Sequence, residues 1–600
     1  MLTPTYRPYM CWASLVLGAV ANISGNLSDL GTFAAPVMGQ YISNTTGHAP
    51  SWAHFTTDHI NPSNVPITGV ARKYHFTVAR ATISPDGVQR PAILVNNQFP
   101  GPTIEANWGD EIEITVENHV ISPAEGTSMH WHGIRQINTP YYDGVPSTSQ
   151  CPTPPGSSIT YRFLADAYGS SFYHSHYSAQ YSAGIFGAII IHGPQQRHVK
   201  YDEDLGPVFL SDWYHASYTE VVESVVGLPP PTSQAYSDNN LINGRMPFDC
   251  KNSNITLHNL TCSSDAAYSV FRFTQGKTYR LRLMNVGSQG MQRFTIDGMN
   301  MTVIAQDFIP VVPYETNVVT IGIGQRTDII VKATGGKSDA VWMRSDVSAL
   351  CSCSTQGNAL AAIYYQDADT SILPKTSATL YDDSFCGNLP LNITTPSYPS
   401  SPPSKPATFI QLDMEFASNA TGHKLWYVNN VTFRANFDKP ILLLAKANKI
   451  SNLNEEWATY NIGSNSSVQI LLNNYSMTPR SQHPMHLHGH NFWIVAEGVG
   501  EWDGTVNLNN PMRRDTHILQ PGVKGVGPGY MVIDFVTDNP GVWPLHCHLA
   551  WHVSAGLYVN ILEHPDKIAD MNIPHNVYQT CKDWTHYMGH DLLPEIDAGV

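Results

Sequence analysis

Charged side chains are scarce in this chain. Asp, Glu, Lys and Arg together supply 14% of its 600 residues, the formal net charge is −15, and no long Lys/Arg run occurs. Without a basic tract there is no electrostatic footprint for nucleic acid, so no nucleic-acid partner is expected. Long apolar runs are missing too, apart from Met10 to Ala21, which follows Arg7 and ends in Ala19-Val20-Ala21. That stretch is too short to span a bilayer and has the layout of a cleaved leader. Export without stable membrane insertion is therefore expected, a signal anchor being the rival reading. Asn-x-Ser/Thr sequons from Asn22 to Asn474 agree with a secreted glycoprotein. Strong helical periodicity and close internal repeats are also absent.

What the chain has instead is 44 Gly, 42 Pro and 42% apolar residues, a balance that favours a turn-rich, all-β globular protein. Six hundred residues exceed one core, so three or more domains are expected. Residues 70–195 read as short strands and turns, for example Lys73-Tyr-His-Phe-Thr-Val and Glu111-Ile-Glu-Ile-Thr-Val. A second β-rich block covers 205–370 and a third 406–565. Between them, 371–405 is rich in Ser, Pro and Thr, including Pro396-Ser-Tyr-Pro-Ser-Ser-Pro-Pro, and reads as a linker. The remaining pieces are a signal peptide at 1–21, an N-terminal extension at 22–69 and a tail at 566–600. Three β-sandwich or barrel units follow.

Four short segments carry most of the chemistry: His130-Trp-His132-Gly, His174-Ser-His176, His483-Pro-Met-His486-Leu-His488-Gly-His490 and His546-Cys547-His548-Leu-Ala-Trp-His552. Side chains at i and i+2 of a strand share a face, so each His-x-His is a ready pair of imidazoles. Imidazole suits copper, zinc, iron and nickel alike, and one pair alone would name no metal. His546-Cys547-His548 is more informative. If the segment is extended, its two imidazoles face one way and the thiol the other, so one backbone stretch joins two metal sites. A Cys with two His ligands and a weak or absent axial donor is a blue-copper electron-transfer site, and His483 and His552 are the natural partners of Cys547. The chain has nine cysteines. With Cys11 in the leader and Cys547 on metal, seven remain, and an oxidising compartment would pair six of them.

These four segments, in this order, resemble those of multicopper oxidases. Phe172-Tyr-His-Ser-His-Tyr-Ser-Ala-Gln-Tyr and His546-Cys-His-Leu-Ala-Trp-His-Val-Ser-Ala-Gly-Leu are similar to ascomycete laccases in particular. The resemblance implies three cupredoxin domains with a trinuclear centre between the first and third. It implies four copper ions: type 1 on His483, Cys547 and His552; type 2 on His130 and His486; and the type 3 pair on His132, His174, His548 and on His176, His488, His546. His490 falls outside the set. Leu557, ten residues after Cys547, stands where some relatives place a Met; it cannot donate, so a three-coordinate, high-potential type 1 site is expected. Asp143 is the expected proton relay near the type 2 copper. The resemblance also implies disulfides Cys151–Cys581, Cys386 with Cys351 or Cys353, and Cys250–Cys262. Finally, it implies a C-terminal Asp597-Ala-Gly-Val600 that plugs the channel to the trinuclear centre.

The implied activity is one-electron oxidation of phenolic or aromatic donors at the type 1 copper, coupled to reduction of dioxygen to water. Laccases place the edge of a type 1 histidine, here taken as His483, at the floor of the donor pocket. Many carry an acidic residue in a second-domain loop, which here is Gly287-Ser-Gln-Gly-Met-Gln-Arg-Phe294 with Met291 at that position. That departure opens a second reading, a dedicated phenol-coupling oxidase of pigment or secondary-metabolite synthesis. A ferroxidase would want an acidic iron site beside His483. A non-catalytic copper-binding wall protein would have lost ligands. A secreted monomer, free or held in the cell wall or a spore coat, is expected.

Overall fold

The structure, a computed structural model, describes residues 26–43, 48–57, 64–228, 235–251, 260–478, 480–588 and 596–600. The leader expected at 1–21, with Cys11, lies outside the described residues, as do the sequons at Asn22, Asn44, Asn254 and Asn259. No helix among the described residues is long and apolar enough to cross a membrane.

Strands form six sheets that fall into three consecutive pairs. Their sequences show why. Glu111–His119 alternates buried and exposed positions along its length, the period-2 pattern of a strand with one face on a core. Ser467–Asn474 is buried at every position because it lies centrally in its sheet and is covered on both faces.

One topology recurs three times without a matching sequence repeat. In each pair the first long strand joins its sheet parallel to a later one: Ala71–Ile83 with Glu111–His119, Glu203–Trp213 with Thr278–Asn285, and Thr408–Ser418 with Ser467–Asn474. The facing sheet is closed by a second parallel pairing: Ile104–Asn107 with Phe186–His192, Ser269–Phe273 with Asn358–Tyr365, and Thr459–Gly463 with Tyr558–Glu563.

The Ser/Pro/Thr-rich passage at 371–405 has no strand, yet it is pinned to its neighbours. Cys386 is bonded to Cys351, Asp383 accepts from Arg293 Nε at 2.9 Å, and Ser397 N donates to Pro310 O at 2.9 Å. Short helices also occur. Tyr218–Val226 begins with a capping box in which Ser217 and Glu220 satisfy each other's backbone amides. In the tail, His575–Tyr587 forms a helix whose Cys581 is bonded to Cys151, 430 residues earlier. The third disulfide is Cys250–Cys262, and Cys353 remains a buried thiol.

The Cys151–Cys581 bond closes a very long loop, and helix 575–587 is otherwise held by few buried residues, Val577, Thr580 and Trp584. Cys581→Ser is expected to cost about 2–5 kcal/mol, read as a lower denaturant midpoint. The same variant should lose hydrogen-exchange protection first in this helix.

Candidate metal centre

Two donor clusters sit back to back on one strand. Gly541–Cys547 pairs with His483–Leu487 in a register that sets Cys547 opposite Met485 and His546 opposite His486. Alternation along the strand then sends Cys547 to one side and His546 to the other.

On the first side, Cys547 Sγ lies 3.5 Å from His483 Nδ1 and 3.8 Å from His552 Nδ1, and the two Nδ1 atoms are 3.1 Å apart. All three residues are buried. Burial pushes the thiol pKa well up and lowers that of His552 to about 3. His483 falls well below the usual value through burial first and His552 second. Three soft or borderline donor atoms converging in an apolar site fit a copper ion bound by thiolate and imidazole. Leu557 is buried beside them, its carbonyl accepting from Cys547 N at 3.2 Å, and its side chain offers no donor.

On the second side eight imidazoles form one cage: His130, His132, His174, His176, His486, His488, His546 and His548, all buried. Their donor atoms meet within 4.8 Å in overlapping groups, among them His130/His486/His488, His130/His132/His174 and His176/His488/His546. His548 Nε2 lies 3.1 Å from His132 Nδ1, and the His174 and His548 rings are 5.2 Å apart. Burial and mutual repulsion push most of them, such as His176 and His486, well below the usual imidazole range. They are therefore neutral at pH 7, with lone pairs available for metal.

Backbone carbonyls fix which nitrogen is available. Nδ1 of His130, His174, His486 and His546 lies 2.8, 2.8, 2.8 and 2.9 Å from the carbonyls of Asp143, Ser175, Asp515 and Cys547. A carbonyl only accepts, so Nδ1 carries the proton and Nε2 presents a lone pair. Nε2 of His130, His174 and His486 is buried without a hydrogen-bond partner. Buried polar atoms left unpaired in such number are costly, and metal ions at the centre of the cage would satisfy them.

Asp143 links the cage from outside, with Oδ2 2.9 Å from His488 Nδ1 and Oδ1 3.3 Å from His130 Nδ1. A second carboxylate, unrecognised in the sequence, is Asp515. Its Oδ1 lies 3.2 Å from His132 Nε2, and Arg326 grips it bidentately at 2.6 and 2.6 Å. The signal for it was faint: three adjacent charges, Arg513-Arg514-Asp515, in a charge-poor chain. His490 pairs with Glu563 at 2.9 Å, outside the cage. At the C-terminus, Ser178 Oγ donates to Asp597 Oδ2 at 2.8 Å and Ser178 N to Gly599 O at 3.3 Å, two residues from His176.

The donor side departs from expectation. His483 was expected at a pocket floor, but its imidazole is fully buried, with the Trp426 ring 4.5 Å away. His552 keeps 5% exposure against 0% for His483, so His552 is the ligand nearer the surface. Met291 does not line an open pocket either; it is buried against the Cys351–Cys386 disulfide, Leu350 and Ile518. Asp212 accepts from Ser288 N, Gln289 N and Gly290 N at 2.6, 3.0 and 2.9 Å, so its carboxylate is committed to holding this loop.

Comparison with known proteins decides what these clusters belong to. Residues 77–196, 204–368 and 419–567 each match the multicopper oxidase family. The chain is a multicopper oxidase. Laccase-2 of Botryotinia fuckeliana is 35% identical over 577 residues, covering 93% of each chain. Dihydrogeodin oxidase of Aspergillus terreus is 34% identical over 587 residues, covering 92% of this chain and 93% of its own. Among solved structures, the laccase from Botrytis aclada superposes with a TM-score of 0.81 at 35% identity, covering 89% of this chain and 96% of its own. The three pairs of sheets are the cupredoxin architecture of this multicopper oxidase, and it is a copper-dependent oxidoreductase that oxidises phenols with dioxygen.

Proposed function

We propose that this multicopper oxidase works with four copper ions, partitioned as the family resemblance implies. Type 1 would lie on His483, Cys547 and His552, type 2 on His130 and His486, and the type 3 pair on His132/His174/His548 and His176/His488/His546. The observation that carries this reading is the strand that puts Cys547 among two imidazoles on one face and His546 among the cage imidazoles on the other. Bound copper supplies one-electron oxidation of the donor and four-electron reduction of dioxygen to water.

The chain's own residues do the rest. Cys547 is bonded directly to His546 and His548, so the two donor sets share a continuous covalent path. His552, the less buried type 1 ligand, would face the donor. Asp143, in contact with His130 and His488, would hold and pass protons. If Asp143→Asn binds four coppers yet turns over dioxygen at an unchanged rate, the relay is wrong. The end of the chain, Asp597 to Val600, would plug the approach to His176. Export through the leader, monomeric state and division at 70–195, 205–370 and 406–565 complete the reading; the three separate family matches support that division.

A dedicated phenol-coupling role is the second reading, favoured by one observation: the loop 287–294 holds no acid and its Met291 is buried. Purified, copper-loaded protein should show an intense blue band and consume oxygen with phenols. Simple phenols oxidised as fast as larger polyketide phenols would remove the second reading, and absence of the blue band would remove both. Leu557→Met would introduce a thioether beside Cys547; a lowered type 1 potential by redox titration is expected, with the blue band retained.

A further inference from the structure

A cavity of about 250 Å³ opens where the three pairs of sheets meet, and no type 1 ligand lines it. Its walls include Arg135, Asp166, Tyr168, Tyr398, Trp493 and Arg513. Four full charges line it, Arg135 and Arg513 against Asp166 and the exposed Asp538. Arg135 Nη2 donates to Asp166 O at 3.0 Å and its Nε lies 3.8 Å from Asp166 Oδ2, so these two form a loose ion pair without a side-chain hydrogen bond between them. His490, also in the wall, is taken by Glu563. Arg513 is different. Its Nη2 donates to the Tyr398 carbonyl, its Nε is buried without a partner, and no carboxylate lies in ion-pair range among the described residues. The adjacent Arg514, by contrast, is held by both oxygens of Asp307 at 2.9 and 2.9 Å.

A guanidinium withdrawn from water without a counter-ion is costly, and burial pulls that of Arg513 down to about 10. Its planar fork matches a carboxylate bidentately. The rings of Tyr168, Tyr398 and Trp493 are half-buried around the same space. A cavity walled by aromatic rings and by one arginine without an acidic partner has the makeup of a small-molecule site.

We propose that this cavity binds a small aromatic carboxylate, its ring among Tyr168, Tyr398 and Trp493 and its carboxylate on Arg513. Occupancy would bridge all three pairs of sheets, and a ligand that binds only the folded chain stabilises it. The site is separate from the donor end of the molecule, so binding is measured without turnover.

Benzoate is the probe, because it has no phenolic hydroxyl to oxidise. Titration calorimetry on the copper-loaded full chain should give one benzoate site, with a raised Tm at saturation. Benzamide, neutral and similar in shape, and acetate, charged but without a ring, should each bind at least about tenfold more weakly. Arg513→Gln should weaken benzoate by about tenfold to a hundredfold while its unliganded Tm and blue band stay at wild-type values. Trp493→Leu is the second variant, expected to weaken benzoate and leave acetate unchanged. No benzoate binding to the wild type, equal binding of benzamide, or wild-type benzoate affinity in both variants would overturn the proposal. Acetate binding as tightly as benzoate would also overturn it, marking an adventitious ion only.

Discussion

Cys547→Ser is expected to abolish the blue absorption and to reduce phenol oxidation to the level of the copper-free protein. A serine hydroxyl is a hard, weakly acidic donor, and the buried pocket of Cys547, His483 and His552 needs a soft thiolate to hold copper in this geometry. The eight cage imidazoles are untouched by the change, so metal analysis should show the loss of one copper equivalent. Loss of more than one would mean that the two donor sets are not independent. A retained blue band would mean that Cys547 is not the type 1 thiolate at all.

Arg326→Leu is expected to produce the largest loss of stability of any single change outside the imidazoles. Arg326 and Asp515 are both buried, and burial, with Asp307 adding to it, holds the Asp515 carboxyl above its usual range against the pull of the Arg326 guanidinium. Removing the arginine leaves a carboxylate beside His132 and His486 with its bidentate partner gone. Breaking one side of a buried pair costs about 3–5 kcal/mol. The imidazoles lose a positioning residue as well, so the type 2 electron paramagnetic resonance signal should change in the folded fraction. The double change Arg326→Leu with Asp515→Asn should recover much of the stability, because no charge is then left unpaired. If the single variant is as stable as the wild type, the pair does not anchor the second pair of sheets to the cage.

The proposed copper ligands were legible because their signal is local. A strand repeats every two residues, so His-x-His and His-Cys-His declare their geometry within three positions. Arg326 and Asp515 lie 189 residues apart, and only the faint run of charges at Arg513-Arg514-Asp515 marks either of them. Which of the two imidazoles beside Cys547 is the more buried was equally hidden, since Trp426, 57 residues before His483, packs on both rings and lies nearer that of His483. The strand content was readable from alternation, but the threefold recurrence of topology was not. Parallel pairing of strands tens of residues apart is a long-range property, and three segments without a close sequence repeat arrive at it. Helix 218–226 carries a local cap in Ser217-x-x-Glu220, yet its valines read equally well as a strand.

The bond between Cys151 and Cys581 also has a meaning in time. Synthesis proceeds at about 5–20 residues per second. The 430 residues between the two cysteines therefore keep Cys151 waiting for roughly 20 to 90 s after it emerges. During that interval Cys250, Cys262, Cys351, Cys353 and Cys386 all appear before the correct partner does. The first pair of sheets must bury Cys151 early, or an isomerase must undo its wrong bonds. Fast cell-free synthesis without such an isomerase should yield more mispaired product than slow synthesis with one.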